Sequence, residues 1–113
     1  MELRLTPEEY ERIRKKYPDA VPIILSRNKT ADAALPLLPK NKFIVKKSFT
    51  IGQFMYVVRH TMSLPPEKAL FLFTKVGLPQ ASMTIGEAWS VFKSDDGALH
   101  MYYATENTFG FAA

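Results

Sequence analysis

The sequence predicts an α+β fold with three helices and four strands. Three segments carry a Thr-x-x-Glu/Gln motif that begins a helix, and four apolar runs elsewhere have the length of strands. The chain has 113 residues, of which 47% are hydrophobic and 23% are charged. A chain of this length and composition typically forms one domain with a single core. We expect that domain over residues 1–104, followed by a flexible tail over residues 105–113.

Each predicted helix starts with a capping box, in which Thr accepts from the N3 amide and the N3 side chain reaches back to the cap. The motifs are Thr6-Pro7-Glu8-Glu9, Thr50-Ile51-Gly52-Gln53 and Thr84-Ile85-Gly86-Glu87. The first predicts a helix over about residues 7–16, which Tyr17-Pro18 ends because proline disfavours a helical residue before it. The second opens the main core helix, with apolar residues at helical spacing up to Met62. The third predicts a shorter helix to about Phe92.

Strands are predicted between and after these helices, at Val21–Arg27, Phe43–Lys47, Ala69–Thr74 and Ala98–Ala104. The resulting order is helix, β, β, helix, β, helix, β. Two strands, a packed helix and two more strands match the ubiquitin-like β-grasp, a four-stranded mixed sheet, here with one N-terminal helix added. The last strand follows Ser94-Asp95-Asp96-Gly97, whose paired acids are more typical of a turn than of a calcium site.

The residue inventory argues against catalysis and against a bound metal. The chain has no cysteine and only two histidines, which excludes disulfides, thiolate catalysis and Cys-ligated metal sites. No nucleophile motif is present, and no Gly-rich phosphate loop accompanies Gly52 or Gly86. We therefore expect no enzyme activity, no catalytic residues, no metal and no cofactor.

Charge is spread unevenly along the chain. The net charge is +4, but residues 1–60 hold twelve Lys/Arg against six Asp/Glu, and residues 61–113 hold three against five. A basic half favours an acidic partner, although a solvated face without a partner fits the charge equally well. No apolar run approaches the 18 residues of a membrane helix, and the charged N-terminal sequence does not resemble a signal peptide. We expect a soluble intracellular protein, which something else must carry to a membrane if it reaches one.

The segment Phe43-Ile44-Val45 is flanked by lysines, a pattern typical of a partly exposed edge strand. Such a strand can pair with an extended peptide through its main chain, while alternate side chains enter pockets. The alternative is that these apolar side chains face the core and the lysines are simply solvated.

Three segments, in the correct order, resemble the autophagy ubiquitin-like modifiers of the GABARAP type. They are Thr50–Arg59, Leu64–Phe73 and Glu106–Gly110, and the resemblance extends over roughly residues 8–110. It implies cleavage after Gly110 by the family's cysteine protease, with Phe109 read by that protease and Phe111 on the leaving side. Ubiquitin-like activating and conjugating enzymes would then join Gly110 to phosphatidylethanolamine. A protein of this kind is cytoplasmic, lies on the autophagosomal membrane when lipidated, and recruits cargo receptors there.

The resemblance also implies a binding surface for acidic aromatic-x-x-aliphatic peptides of cargo receptors. The aromatic pocket is expected from Glu9, Ile13, Pro22, Ile24, Lys42 and Ile44. The aliphatic pocket is expected from Phe43, Val45, Phe49, Phe54 and Val57, with Arg59 nearby for acidic flanking residues. Peptide pairing would follow Lys42–Lys46.

This chain departs from the family pattern at four places, one of which is the loop between the first two strands, about two residues longer than is usual. Ala98 stands where the family often has phenylalanine near the first pocket, and Lys46 stands where a proline is common near the second. Before Val21 there is room for one helix, whereas family members usually carry two. The exchange at Ala98 either enlarges the aromatic pocket or weakens it.

Two other functions remain open at this point: a β-grasp scaffold that is never conjugated, and a basic module that binds RNA or another polyanion. A glycine placed for processing favours the modifier over the scaffold. Nucleic acid is disfavoured because the sequence lacks the usual exposed aromatic stacking motifs.

Overall fold

A computed structural model of the chain describes residues 3–28, 38, 40–65 and 67–105. It contains the elements α1 (Pro7–Lys16), β1 (Ala20–Arg27), β2 (Lys42–Lys46), α2 (Ile51–Met62), β3 (Phe71–Phe73), α3 (Ile85–Phe92) and β4 (Leu99–Ala104). The predicted order of helices and strands is confirmed. The main difference is β3, which is three residues long because Thr74 forms a bridge with Gly77 and does not extend the pairing with β4.

All three predicted capping boxes form. Thr6, Thr50 and Thr84 each accept a hydrogen bond from the N3 amide, and the N3 side chain of Glu9, Gln53 or Glu87 accepts from the cap amide. The helix starts are thus determined by contacts within four residues, which is why they could be placed from sequence.

The four strands form one mixed sheet in the order β2-β1-β4-β3. β1 runs parallel to β4 and antiparallel to β2, and β3 runs antiparallel to β4. β1 and β4 therefore occupy the centre, while β2 and β3 are the edge strands of the described sheet. This arrangement confirms the ubiquitin-like α+β fold.

The main core lies between α2 and one face of the sheet. The buried stripe of α2 is Ile51, Phe54, Val58 and Met62. The ring of Phe54 meets that of Phe43 edge to face, with centroids 5.5 Å apart.

A second, smaller cluster lies where α1 covers the other face of the sheet. It contains Leu5, Ile24 and Ala98, with Tyr10 and Ile13 packed against it. The two clusters are separate because successive side chains of a strand point to opposite faces of the sheet. Ile23 and Leu25 point into the main core, whereas Ile24 points to the other face. Among the described residues, no helix is both long and apolar enough to cross a membrane.

Candidate functional site

A groove with a volume of about 290 Å³ lies between α1 and the edge strand β2. Five of the six residues predicted for the aromatic pocket line it, namely Glu9, Ile13, Pro22, Lys42 and Ile44. The sixth, Ile24, is 1% exposed and packs with Leu5 and Ala98 in the smaller cluster. The remaining lining comes from Leu5, Ile23, Lys40 and Phe43. The groove therefore combines an apolar lining with two lysines.

The register of β1 explains why a proline can line this groove. Pro22 pairs with Ile44 across β1 and β2, but it precedes the first pair between β1 and β4, which is Ile23 with Leu99. At Pro22 the sheet is thus open on one side, and the missing N–H breaks no bond to β4. The neighbouring α1 presents Glu9 and Ile13 one turn apart, on the same helix face.

The edge strand itself divides its side chains between core and solvent. Phe43 is 9% exposed and Val45 packs against the main core, whereas Ile44 is 46% exposed. Alternate residues of the same short strand therefore face the core and the surface, and peptide pairing along this strand stays a prediction.

Charge at the groove is concentrated on one ion pair and one cation–π contact. Lys42 Nζ donates to Glu9 Oε2 at 3.0 Å. The backbone N–H of Thr6, and then Lys42, hold the pKa of Glu9 below its ordinary value. Lys40 Nζ lies 5.1 Å from the centroid of the Phe43 ring. The rim consequently presents cations beside apolar surface, the arrangement that suits an acidic peptide with an apolar anchor.

The residues predicted for the aliphatic pocket are more dispersed. Phe49 and Val57 are 37% and 40% exposed, and Val45 is partly buried. Phe54 is 1% exposed, so in this conformation it supports Phe43 within the core and offers no surface to a ligand. Phe54 belongs to the core stripe of α2, as its helical spacing predicts, and its part in the aliphatic pocket stays a prediction.

Arg59 and Lys46, the other two cations predicted at the peptide site besides Lys42, have different environments. The Arg59 guanidinium donates to the carbonyl oxygens of Lys68 at 2.7 Å and Pro65 at 3.0 Å. It thereby holds the segment that follows α2. Lys46 is exposed at the end of β2.

Contacts among five residues hold the N-terminal wall of the groove in place. These residues are Arg4, Leu5, Asp95, Asp96 and His100. Asp96 Oδ2 accepts from the Leu5 N–H at 3.0 Å and lies 2.9 Å from His100 Nε2, while Arg4 pairs with Asp95 at 2.7 Å. Burial raises the pKa of Asp96, but hydrogen bonds from Leu5, His100 and Ala98 outweigh burial and leave that pKa below its ordinary value. The predicted turn is present, and its carboxylates bind the N-terminal segment.

Comparison with known proteins identifies the family. Residues 6–110 match the family model described as "Autophagy protein Atg8 ubiquitin like". The chain belongs to the Atg8 family. It is a ubiquitin-like autophagy protein, as the resemblance implied.

Relatives and a solved structure agree with this assignment to the Atg8 family. Autophagy-related protein 8d of Arabidopsis thaliana is 43% identical over 102 residues, which cover 90% of this chain and 83% of the relative. Autophagy-related protein 8 of Mycosarcoma maydis is 41% identical, with 90% and 85% covered. The crystal structure of Trypanosoma brucei ATG8 has a TM-score of 0.81 at 34% identity, covering 91% of this chain and 87% of that one.

Sequence reasoning missed Leu5, Ile23 and Lys40 as groove residues of this Atg8 protein. Leu5 precedes the first helix and belongs to no periodic segment. A signal was nevertheless present, because Leu5 at N′ and Tyr10 at N4 occupy the two positions of a hydrophobic staple. The predicted processing residues Phe109, Gly110 and Phe111 lie outside the described residues.

Proposed function

We propose that this Atg8-family protein is a conjugated modifier and not an enzyme. The family's cysteine protease cuts the bond between Gly110 and Phe111, reading Phe109. Ubiquitin-like activating and conjugating enzymes then join Gly110 to phosphatidylethanolamine, its only expected covalent lipid group. Support comes from the family match, which reaches residue 110, and from the Glu106–Gly110 motif. Glycine suits this role because it lacks a Cβ and passes a narrow enzyme channel easily.

Lipid attachment would give the protein its membrane contact. The described helices offer none that could span a bilayer, whereas each buried methylene of an attached lipid contributes about 0.8 kcal/mol to membrane binding. We therefore assign the unconjugated form to the cytoplasm and the conjugated form to the autophagosomal membrane.

The groove, in this proposal, receives acidic aromatic-x-x-aliphatic peptides of cargo receptors. The observation that carries it is the position of a lysine-rimmed apolar groove directly beside an edge strand. The main chain of the peptide pairs with β2, its aromatic side chain enters between Ile13 and Ile44, and its acidic residues meet Lys40 and Lys42. Pairing supplies affinity and the groove supplies selectivity.

Peptide binding is tested with Ile44→Ala, since Ile44 lines the groove and is 46% exposed. We expect affinity for an acidic Trp-x-x-Leu peptide to fall at least about tenfold, or about 1.4 kcal/mol. The matched control is Val76→Ala, an exposed apolar residue just after β3 at the opposite edge of the sheet. Calorimetry that finds equal affinities for both variants and the original protein contradicts this role of the groove.

Conjugation is tested by expressing the protein with a tag at each end in its own cells under starvation. We expect loss of the C-terminal tag and membrane association, both abolished by Gly110→Ala. The control Ala112→Ser changes a residue beyond the cleaved bond and should be processed normally. If all three proteins keep the tag and remain cytosolic, conjugation is excluded and the unconjugated scaffold becomes the better explanation.

A further inference from the structure

We propose that Leu5, from the segment before α1, determines which aromatic side chain the groove accepts. The proposal rests on the peptide-binding function above and names the selectivity residue of that same site. Leu5 lines the groove, yet it is only 6% exposed. It is therefore part of the groove wall and also part of the packed interior behind that wall.

The space that Leu5 fills lies beside a small residue. Leu5 packs with Ile24 and Ala98, which are 1% and 0% exposed. The Ala98 side chain is a single methyl group. The space next to it is filled by the Leu5 side chain, which comes from the other end of the sequence. Truncating Leu5 would open space that is continuous with the groove.

Leu5 is also held in a defined position, which a selectivity residue requires. Its N–H donates to Asp96 Oδ2 at 3.0 Å, and Asp96 Oδ1 accepts from the Ala98 N–H at 3.1 Å. One buried carboxylate thus connects the backbone of Leu5 to that of Ala98. Tyr10 adds an apolar contact on the same side.

A branched aliphatic wall held in this way should favour a phenyl ring over the larger indole ring. In an apolar pocket, a difference of one methylene commonly changes affinity tenfold or more, at roughly 10–200-fold. Leu5→Ala removes three carbon atoms from the wall. The variant should therefore tolerate tryptophan better, relative to phenylalanine, than the original protein does.

The experiment measures two acidic peptides that differ only in the aromatic residue, Phe-x-x-Leu and Trp-x-x-Leu, by calorimetry. We expect Leu5→Ala to shift the ratio of the two dissociation constants toward tryptophan by about tenfold. Taking the ratio cancels any uniform loss of affinity. Leu3→Ala is the control, because Leu3 is 38% exposed and does not line the groove. A ratio that Leu5→Ala leaves unchanged overturns the proposal.

Two further measurements keep the test decisive if Leu5→Ala fails to fold. Leu5→Val should shift the ratio in the same direction by a smaller factor. In the unaltered protein, the Leu5 methyl resonances should move when the Phe-x-x-Leu peptide is added, because an aromatic ring shifts nearby methyl signals. If the peptide binds but the Leu5 methyl resonances do not move, the proposal about Leu5 is overturned, while the peptide-binding function still stands. If the folded, unaltered protein binds neither peptide, the peptide-binding function itself fails.

Discussion

Phe54 and Thr50 contribute to the stability of α2 in different ways, and their substitutions should differ in cost. Phe54 is 1% exposed in the main core, so Phe54→Ala should lower the free energy of unfolding by about 3–5 kcal/mol through lost burial and a cavity. Thr50 only caps the helix, and Thr50→Ala should cost about 1 kcal/mol. Urea unfolding measures both. The opposite ranking would contradict the register of α2.

Asp96 makes a contribution that depends on pH. Its pKa in the folded protein lies below the ordinary value of 3.8, so the ionised form favours folding. This contribution is complete above the pKa that Asp96 has in the unfolded chain. It is lost as pH falls through the lower pKa that Asp96 has in the folded protein. Asp96→Asn should therefore cost about 1–3 kcal/mol at neutral pH, and the difference from the original protein should narrow below about pH 4.

Unfolding in urea at neutral and acid pH tests this prediction. Asp95→Asn is the matched control, because the Asp95 side chain is 83% exposed and its pairing with Arg4 should contribute less than about 1 kcal/mol. An Asp96→Asn penalty that is the same at both pH values would show that the carboxylate charge does not stabilise the fold.

The position of α1 depends on a glycine far away in the sequence. Gly97 has a φ of 87°, and a Cβ added there would collide with the Tyr10 ring of α1. Gly97→Ala should thus cost at least about 1 kcal/mol and displace α1, which supplies Glu9 and Ile13 to the groove. We expect faster amide exchange in α1 and weaker peptide binding.

Gly77→Ala is the control for that prediction. Gly77 also has a positive φ, of 142°, but it lies after β3 at the opposite edge of the sheet. The substitution should reduce stability while leaving peptide affinity unchanged. Equal effects of the two substitutions on peptide affinity would contradict a specific role of Gly97 in placing α1.

The elements that could be predicted from sequence are those determined by neighbouring residues. Each capping box is complete within four residues, so α1, α2 and α3 begin where predicted. β3 was predicted too long, because apolar character extends beyond the residues that pair with β4. The staple positions of Leu5 and Tyr10 indicate only their local contact, whereas the place of Leu5 in the groove also depends on Asp96, 91 residues away, which is why Leu5 was missed.

The charge of the whole molecule should affect how fast an acidic peptide binds more than how long it stays. The net charge is +4, with the excess in the half of the chain that forms the groove. At about 1 M salt the Debye length falls to about 3 Å, so steering should be largely lost. We expect a slower association rate and a nearly constant dissociation rate.

Stopped-flow measurements with an acidic peptide, and with a neutral peptide of the same anchors, test this expectation. Only the acidic peptide should associate more slowly as salt increases. Equal slowing of both peptides would contradict electrostatic steering. A steep linear loss of affinity for RNA with the logarithm of salt concentration would instead support the polyanion-binding alternative.

The parallel pairing of β1 with β4 separates the groove from the end of the sheet at which the chain leaves it. Groove residue Ile23 lies beside Leu99 at the start of β4, whereas the chain leaves the sheet after Ala104, at the other end of that strand. At about 3.3 Å per residue, these points are separated by roughly 17 Å. If the tail carries a lipid as proposed, the groove and the end of the sheet from which the tail leaves lie at opposite ends of β4, so that one molecule could hold a receptor peptide and its membrane at the same time.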